Sequence, residues 1–368
     1  MNHERRYDID WIRVIVFDIL IIYHVGMFFV PWDWHIKNNE LVHWLKLPMD
    51  FVSQWRLPVL FVVSGMGTRF ALSQKTGKAY IVERFKRLFL PLLAGILIVV
   101  SPQVYIERIS DGAFNGTFFD FLPEFFDGFY PEGNFSWHHL WFLPYLLVMS
   151  IAATPFFLHL RIEHNTVIAY LQHKIKQTPA LLFLFALPLG FAQLMAPHFP
   201  VTHALIGDWY TLTFNFILFI GGFILVSMGE AFWSAITRIR RYALATGILC
   251  SVVLLTIWYG YNINPQLPLI HSLNTWSWIL TILGYSAKYL NRESRVIKYR
   301  NRAVYPFYIL HQAIIIVIGY ALMKTEINYS WKIIIMTTGT FGITWAVYEF
   351  IIERIRILRP VFGLKNNR

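Results

Sequence analysis

Arg13 and His24 stand eleven residues apart in an otherwise largely apolar stretch. At about 100° per residue, eleven steps make three turns plus about 20°, so one helix face carries both side chains. Asp10, three residues before Arg13, falls on the same stripe, whereas Asp18 does not. A guanidinium binds anions, and an imidazole takes and returns a proton near neutral pH. The rise between the two is about 16 Å. That spacing suits a long anionic donor whose reactive end must reach beyond its charged end. A simpler reading needs no ligand: Arg13 snorkels to lipid headgroups, and His24 hydrogen-bonds another helix or relays protons in a transporter.

Other groups invite the same two readings. Arg84 and Arg87 are neighbours on a helix surface, and two planar forks can grip phosphates or simply anchor the chain at a membrane edge. Trp55-Arg56-Leu57-Pro58 leads into Ser64-Gly65. Arg56 then lies in an apolar run, where it needs a partner or a substrate oxygen. Pro58 is expected to kink that helix and Gly65 to allow a close helix approach. His138, His139 and Trp141 open a further run, where the Trp suits an interface belt and the histidines could meet a polar acceptor. His311 sits inside a late apolar run, as a core hydrogen-bonder or a substrate contact, and Glu349 and Glu353 end the last one. The single cysteine, Cys250, excludes a disulfide within the chain and a cysteine metal site, and no metal-ligand spacing stands out.

These residues need a scaffold, and composition indicates which. The 368 residues are 56% hydrophobic and 14% charged, with mean hydropathy +0.48, against about 25% charged in soluble domains. The expected fold is all-α: a polytopic membrane protein of about ten transmembrane helices within one domain, 1–368. Spans are expected near 11–31, 47–72, 88–105, 140–160, 179–197, 209–228, 242–263, 269–290, 303–323 and 331–352. The fifth is short and interrupted by proline. The first carries Asp18 and His24 and lacks a cleavage pattern, so it is expected to remain as a span rather than a removed signal.

The net charge of +11 is distributed by loop. About 24 Lys and Arg fall in alternate segments, from Arg5 and Arg6 to Arg354 through Arg368, and about five in the intervening ones. That ladder places both termini in the cytoplasm, and it explains the positive charge by membrane anchoring, with no nucleic acid as partner. The long segment from Glu107 to Trp137 becomes the main external loop. No internal repeat or low-complexity tract appears.

Taken together, the ordered motifs resemble the acyltransferase-3 family of integral membrane acyltransferases over nearly the whole chain. They are Asp10-Trp11-Ile12-Arg13 with Arg13-x10-His24, Arg56-x-Pro58 leading into Ser64-Gly65, Arg84-x-x-Arg87, His139 to Leu143, and Tyr305 to His311. Trp34-His35, Tyr348-Glu349 and the basic tail look most like the branch that includes the periplasmic-glucan succinyltransferase. The Ile-Glu-x-Pro ending of many members is altered, with Ile352-Glu353 followed by Arg354-Ile355.

The resemblance implies transfer of an acetyl or succinyl group from cytosolic acyl-CoA to a hydroxyl of an extracytoplasmic carbohydrate, in a bacterial inner membrane. It implies that His24, with Arg13, is catalytic, and that Arg84, Arg87 and Arg13 hold the CoA phosphates. Arg56, His139, Trp141 and His311 would contact the acceptor, with Asp10, Ser64 and Glu349 in support. Acyl-CoA is then a co-substrate, and no tightly bound cofactor or metal is expected. The sequence leaves the oligomeric state open. Two other classes compete: a proton-coupled secondary transporter of a small polar solute or glycan precursor, disfavoured by the lack of an internal repeat, and a non-catalytic acyl-CoA-binding sensor or flippase partner.

Overall fold

The computed structural model describes residues 5–162, 164–263 and 265–364. The end of the expected basic tail, Lys365 and Arg368, lies outside them. The described chain is all-α, as composition requires of a lipid-embedded backbone that must satisfy its own hydrogen bonds. In chain order the helices are α1 (Tyr7–Met27), α2 (Lys46–Ser53), α3 (Arg56–Leu72), α4 (Gly77–Ser110), α5 (Phe118–Glu124), α6 (His138–Leu160) and α7 (Thr166–Gln177). There follow α8 (Pro179–Gln193), α9 (Trp209–Ser227), α10 (Glu230–Gly260), α11 (Pro268–Tyr289), α12 (Arg295–Leu322), α13 (Tyr329–Ile352) and α14 (Leu358–Val361).

Six of these, α4, α6, α9, α10, α12 and α13, are long and apolar enough to cross a membrane. The protein is an integral, multi-pass membrane protein. Helix α1 has the length but carries Asp10, Arg13 and Asp18, and α8 begins as a 3₁₀ turn over Pro179–Phe185. The span expected at 47–72 is broken between α2 and α3. Pro58 is the third residue of α3, where no main-chain N–H is needed, so it starts a helix instead of kinking one. Arg84 and Arg87, and Arg238, Arg240 and Arg241, lie within α4 and α10 rather than in loops.

The chain divides into two compact units whose boundaries fall inside α1, α2, α4, α6 and α12. The first comprises Met1–Val16, Asp50–Arg84 and Tyr145–Asn301. There α3 crosses α9, and α10 packs along α11, which also packs on α8. Gly65 and Gly222 make the first crossing possible. A Cβ on Gly65 would strike the Phe219 carbonyl, and one on Gly222 the Val62 carbonyl. Small residues let the two backbones touch, as membrane packing favours. The Phe157 and Phe223 rings stack beside this crossing at 3.9 Å.

The second unit comprises Phe17–Met49, Phe85–Pro144 and Arg302–Arg368. Lys37 Nζ donates to the Met27 and Val30 carbonyls at 2.7 and 2.8 Å, satisfying acceptors left over at the end of α1. Lys332 is not the exposed anchor that its place near a helix end suggests. It is buried and donates to Asn38 Oδ1 at 2.8 Å, Thr325 O at 3.0 Å and Asn39 Oδ1 at 3.3 Å. Such a charge is tolerated inside only when its donors are used.

Candidate active site

In the first unit α1 contributes an ionic knot. Arg13 Nη1 donates to Asn301 Oδ1 at 2.9 Å and stands 3.6 Å from Asp10 Oδ1. Asn301 Nδ2 donates to the same carboxylate oxygen at 2.9 Å, while Arg5 Nη2 reaches the other at 2.7 Å. The expected Asp10–Arg13 stripe is therefore real, but Asn301 of α12 closes it.

On α4, Arg84 donates from Nε to the Tyr80 hydroxyl at 2.9 Å and from Nη2 to Thr68 Oγ1 at 3.0 Å. The two hydroxyls lie 3.0 Å apart. Thr68 also bonds the Ser64 carbonyl at 2.9 Å, which is how Ser64 enters this group. Arg84 is thus pre-oriented, while Arg87, one turn on, is exposed. Arg56, the first residue of α3, is buried. Its positive charge opposes protonation of His203 in the loop before α9, whose pKa burial already lowers and nearby Asp208 raises.

The second unit gathers three histidines. His311 on α12 is fully buried. Its Nδ1 lies 2.7 Å from the Tyr308 carbonyl and 3.2 Å from that of Phe307. Carbonyls only accept, so Nδ1 carries the proton. In the neutral ring Nε2 then has the lone pair, and it lies 2.8 Å from His24 Nδ1. His24 must donate across that contact, which leaves the basic lone pair of His24 on Nε2. The two rings stack at 5.0 Å.

His139 completes the cluster from the first turn of α6. Its Nε2 donates to the Ile309 carbonyl at 2.9 Å, and its own carbonyl accepts from the Tyr308 hydroxyl at 2.7 Å. Its ring meets His311 edge-on at 5.1 Å. His139 Nδ1 is buried without a protein partner among the described residues, an acceptor that a ligand hydroxyl would satisfy. Trp141 is buried in the same turn.

A polar chain continues from the cluster. Gln312 Nε2 donates to His35 Nε2 at 3.0 Å and to Gln103 Oε1 at 3.2 Å, and His35 Nδ1 bonds Glu107 Oε2. The hydroxyl of Tyr130 also bonds Glu107, and burial together with that carboxylate pushes it up to about 12. Glu353 lies elsewhere in this unit, paired with Arg302 Nη2 at 2.6 Å, and its carbonyl accepts from Arg359. This gives Glu353 a structural tie. Glu349 sits in the π-helical turn Tyr348–Ile352 that ends α13.

Sequence reasoning singled out His24, His139 and His311 but not their mutual arrangement, and it missed Asn301, Thr68, Tyr80, Gln103 and Gln312. The one available signal was spacing: Gln103 and Glu107 share a face of α4 at i,i+4, and Gln312 adjoins His311.

Residues 6–349 match the family model described as an acyltransferase domain, acyltransferase-3. The chain belongs to the acyltransferase-3 family. It is an enzyme, a membrane acyltransferase, which decides against the transporter and sensor readings. It is similar to the Glucans biosynthesis protein C of Escherichia coli K12 and those of the O157:H7 and O9:H4 strains. Identity is 24% in each case, and the match covers 98% of this chain and 95% of the relative. No solved structure matches the chain.

Proposed function

We propose that this acyltransferase moves an acetyl or succinyl group from acyl-CoA to a hydroxyl of an extracytoplasmic glycan, working in a bacterial inner membrane, with His24 as general base. The observation that carries this reading is the His24–His311 contact. Because α12 fixes the proton on His311 Nδ1, His24 directs its Nδ1–H at His311 and carries its basic lone pair on Nε2.

The acceptor hydroxyl gives its proton to His24 Nε2 as its oxygen attacks the thioester carbonyl. The tetrahedral intermediate collapses, the C–S bond breaks, and the departing CoA thiolate recovers the proton from the His24 imidazolium. His311, as a neutral acceptor, holds His24 in the Nδ1–H tautomer. The His139 Nδ1 lone pair accepts from a neighbouring acceptor hydroxyl. Arg84 and Arg87 bind the CoA phosphates, and Arg13 stands eleven residues before His24 along α1. The names of the relatives, which concern glucan synthesis, support a glucan-like acceptor.

The test is transfer of label. Purified protein in detergent, given radiolabelled succinyl- or acetyl-CoA and a periplasmic-type glucan, should place label on the glucan in an alkali-labile ester. Label confined to CoA and free acid with every glycan tried would contradict the acceptor assignment.

A further inference from the structure

Three segments distant in sequence converge in the second unit. His35 comes from the loop between α1 and α2, Glu107 from the last turns of α4, and His138 from the first residue of α6. One donor atom from each lies within 4.8 Å of the other two. Glu107 is buried, and the two histidines are half-buried. We propose that His35, Glu107 and His138 form a binding site for a zinc ion, joining these three segments.

The donor set fits. Two imidazoles and one carboxylate are a set that zinc takes, with a fourth position left for water. His138 provides the sharpest indication. Its Nε2 is shut off from solvent and has no protein partner among the described residues. A buried nitrogen in that condition calls for a ligand such as an ion. Its ring lies only 4.3 Å from that of His35, yet no hydrogen bond joins the two.

The surroundings of His138 and Glu107 suit metal ligation. His138 Nδ1 is 3.0 Å from Ser136 Oγ, which can accept its N–H and so leave the lone pair on Nε2. The amide of Gln312 sits 3.0 Å from His35 Nε2. Arg108, the nearest competing cation, is 3.9 Å from Glu107 Oε1. It is held aside by Asn134 Oδ1 and the carbonyls of Pro131 and Gly133, at 2.8, 3.0 and 2.8 Å. His138 also has φ +40°, a left-handed conformation costly for a non-glycine residue and concentrated at ligand clamps.

The reading is independent of the acyl donor and acceptor, and metal content tests it directly. Untagged full-length protein in detergent is stripped with EDTA, equilibrated with buffered Zn²⁺, freed of excess ion and measured by mass spectrometry of the metal. About one zinc per chain is expected for wild type, and at least tenfold less for His138→Ala and Glu107→Gln at the same free zinc. Wild type loaded with Co²⁺ should show the intense visible bands of a four-coordinate ion, a readout that needs no variant. Zinc-free wild type, variants that retain zinc like wild type, or a Co²⁺ spectrum no different from the aqueous ion would each overturn the site.

Discussion

His24 Nδ1 lies 2.8 Å from His311 Nε2, and the Tyr308 carbonyl lies 2.7 Å from the other nitrogen of His311. The main chain of α12 thus sets the tautomer of one ring and, through it, that of the next. An aspartate in this position would fix the same tautomer and add charge stabilisation. A neutral histidine fixes the tautomer alone, so it acts as a positioning residue. His311→Ala should lower kcat by up to about 10²-fold with little change in the KM for acyl-CoA. His311→Gln, which restores an acceptor oxygen, should recover part of the loss. Equal changes in kcat and in acyl-CoA KM would assign His311 to packing or donor binding instead.

Arg84 is oriented by Tyr80 and Thr68, and that geometry distinguishes phosphate recognition from membrane anchoring. Arg84→Ala should weaken acyl-CoA binding strongly, and Arg84→Lys only partly restores it, because an ammonium lacks the fork. Tyr80→Phe removes one hydrogen bond to a charged group, worth about 1.5–3 kcal/mol, and should loosen acyl-CoA binding without removing the charge. Calorimetric titration of each purified variant gives the answer. Affinities equal to wild type would return Arg84 to an anchoring role.

Lys37 is pushed down to about 8 by burial, against the opposing pull of Asp33. Its native pKa is below the ordinary 10.5, so between about pH 8 and 10.5 the unfolded chain binds more protons at this site than the native one. Stability from this group therefore rises with pH across that window and is flat below it. The difference in unfolding temperature between wild type and Lys37→Met should grow in favour of wild type from pH 8 upward. Competitive acetylation of Lys37 should show a midpoint near 8.

Gly65 and Gly222 let α3 and α9 meet backbone to backbone. Gly65→Ala should destabilise the protein by about 1–3 kcal/mol through forced separation of the helices, and Gly222→Val by more. Thermal unfolding in detergent reads the effect. Unchanged midpoints would mean that the crossing yields at no cost.

How far the site was legible follows from the range of the forces involved. Helix periodicity is local, so Arg13 and His24 could be placed on one face of α1, and Gly65 announced a close crossing that the structure contains. Loop charge is also local, yet Arg84 and Arg238 lie within helices because α4 and α10 extend past their apolar cores. Pro58 misled because a proline at a helix start and one in its middle look alike until the break before Arg56 is known. The contacts that give the site its chemistry span long separations: His24 to His311, His35 to Glu107, Arg13 to Asn301. Residue type alone could nominate these members but not pair them. His35, Glu107 and His138 show no ligand spacing because each comes from a different segment of chain.

The most direct test of the central claim is acyl transfer by His24→Ala, measured beside its acyl-CoA affinity. The account predicts a fall of about 10²–10⁴-fold in label transferred to the glucan, with acyl-CoA bound as tightly as by wild type. Transfer at the wild-type rate, with His24→Ala protein intact and donor-bound, would contradict it.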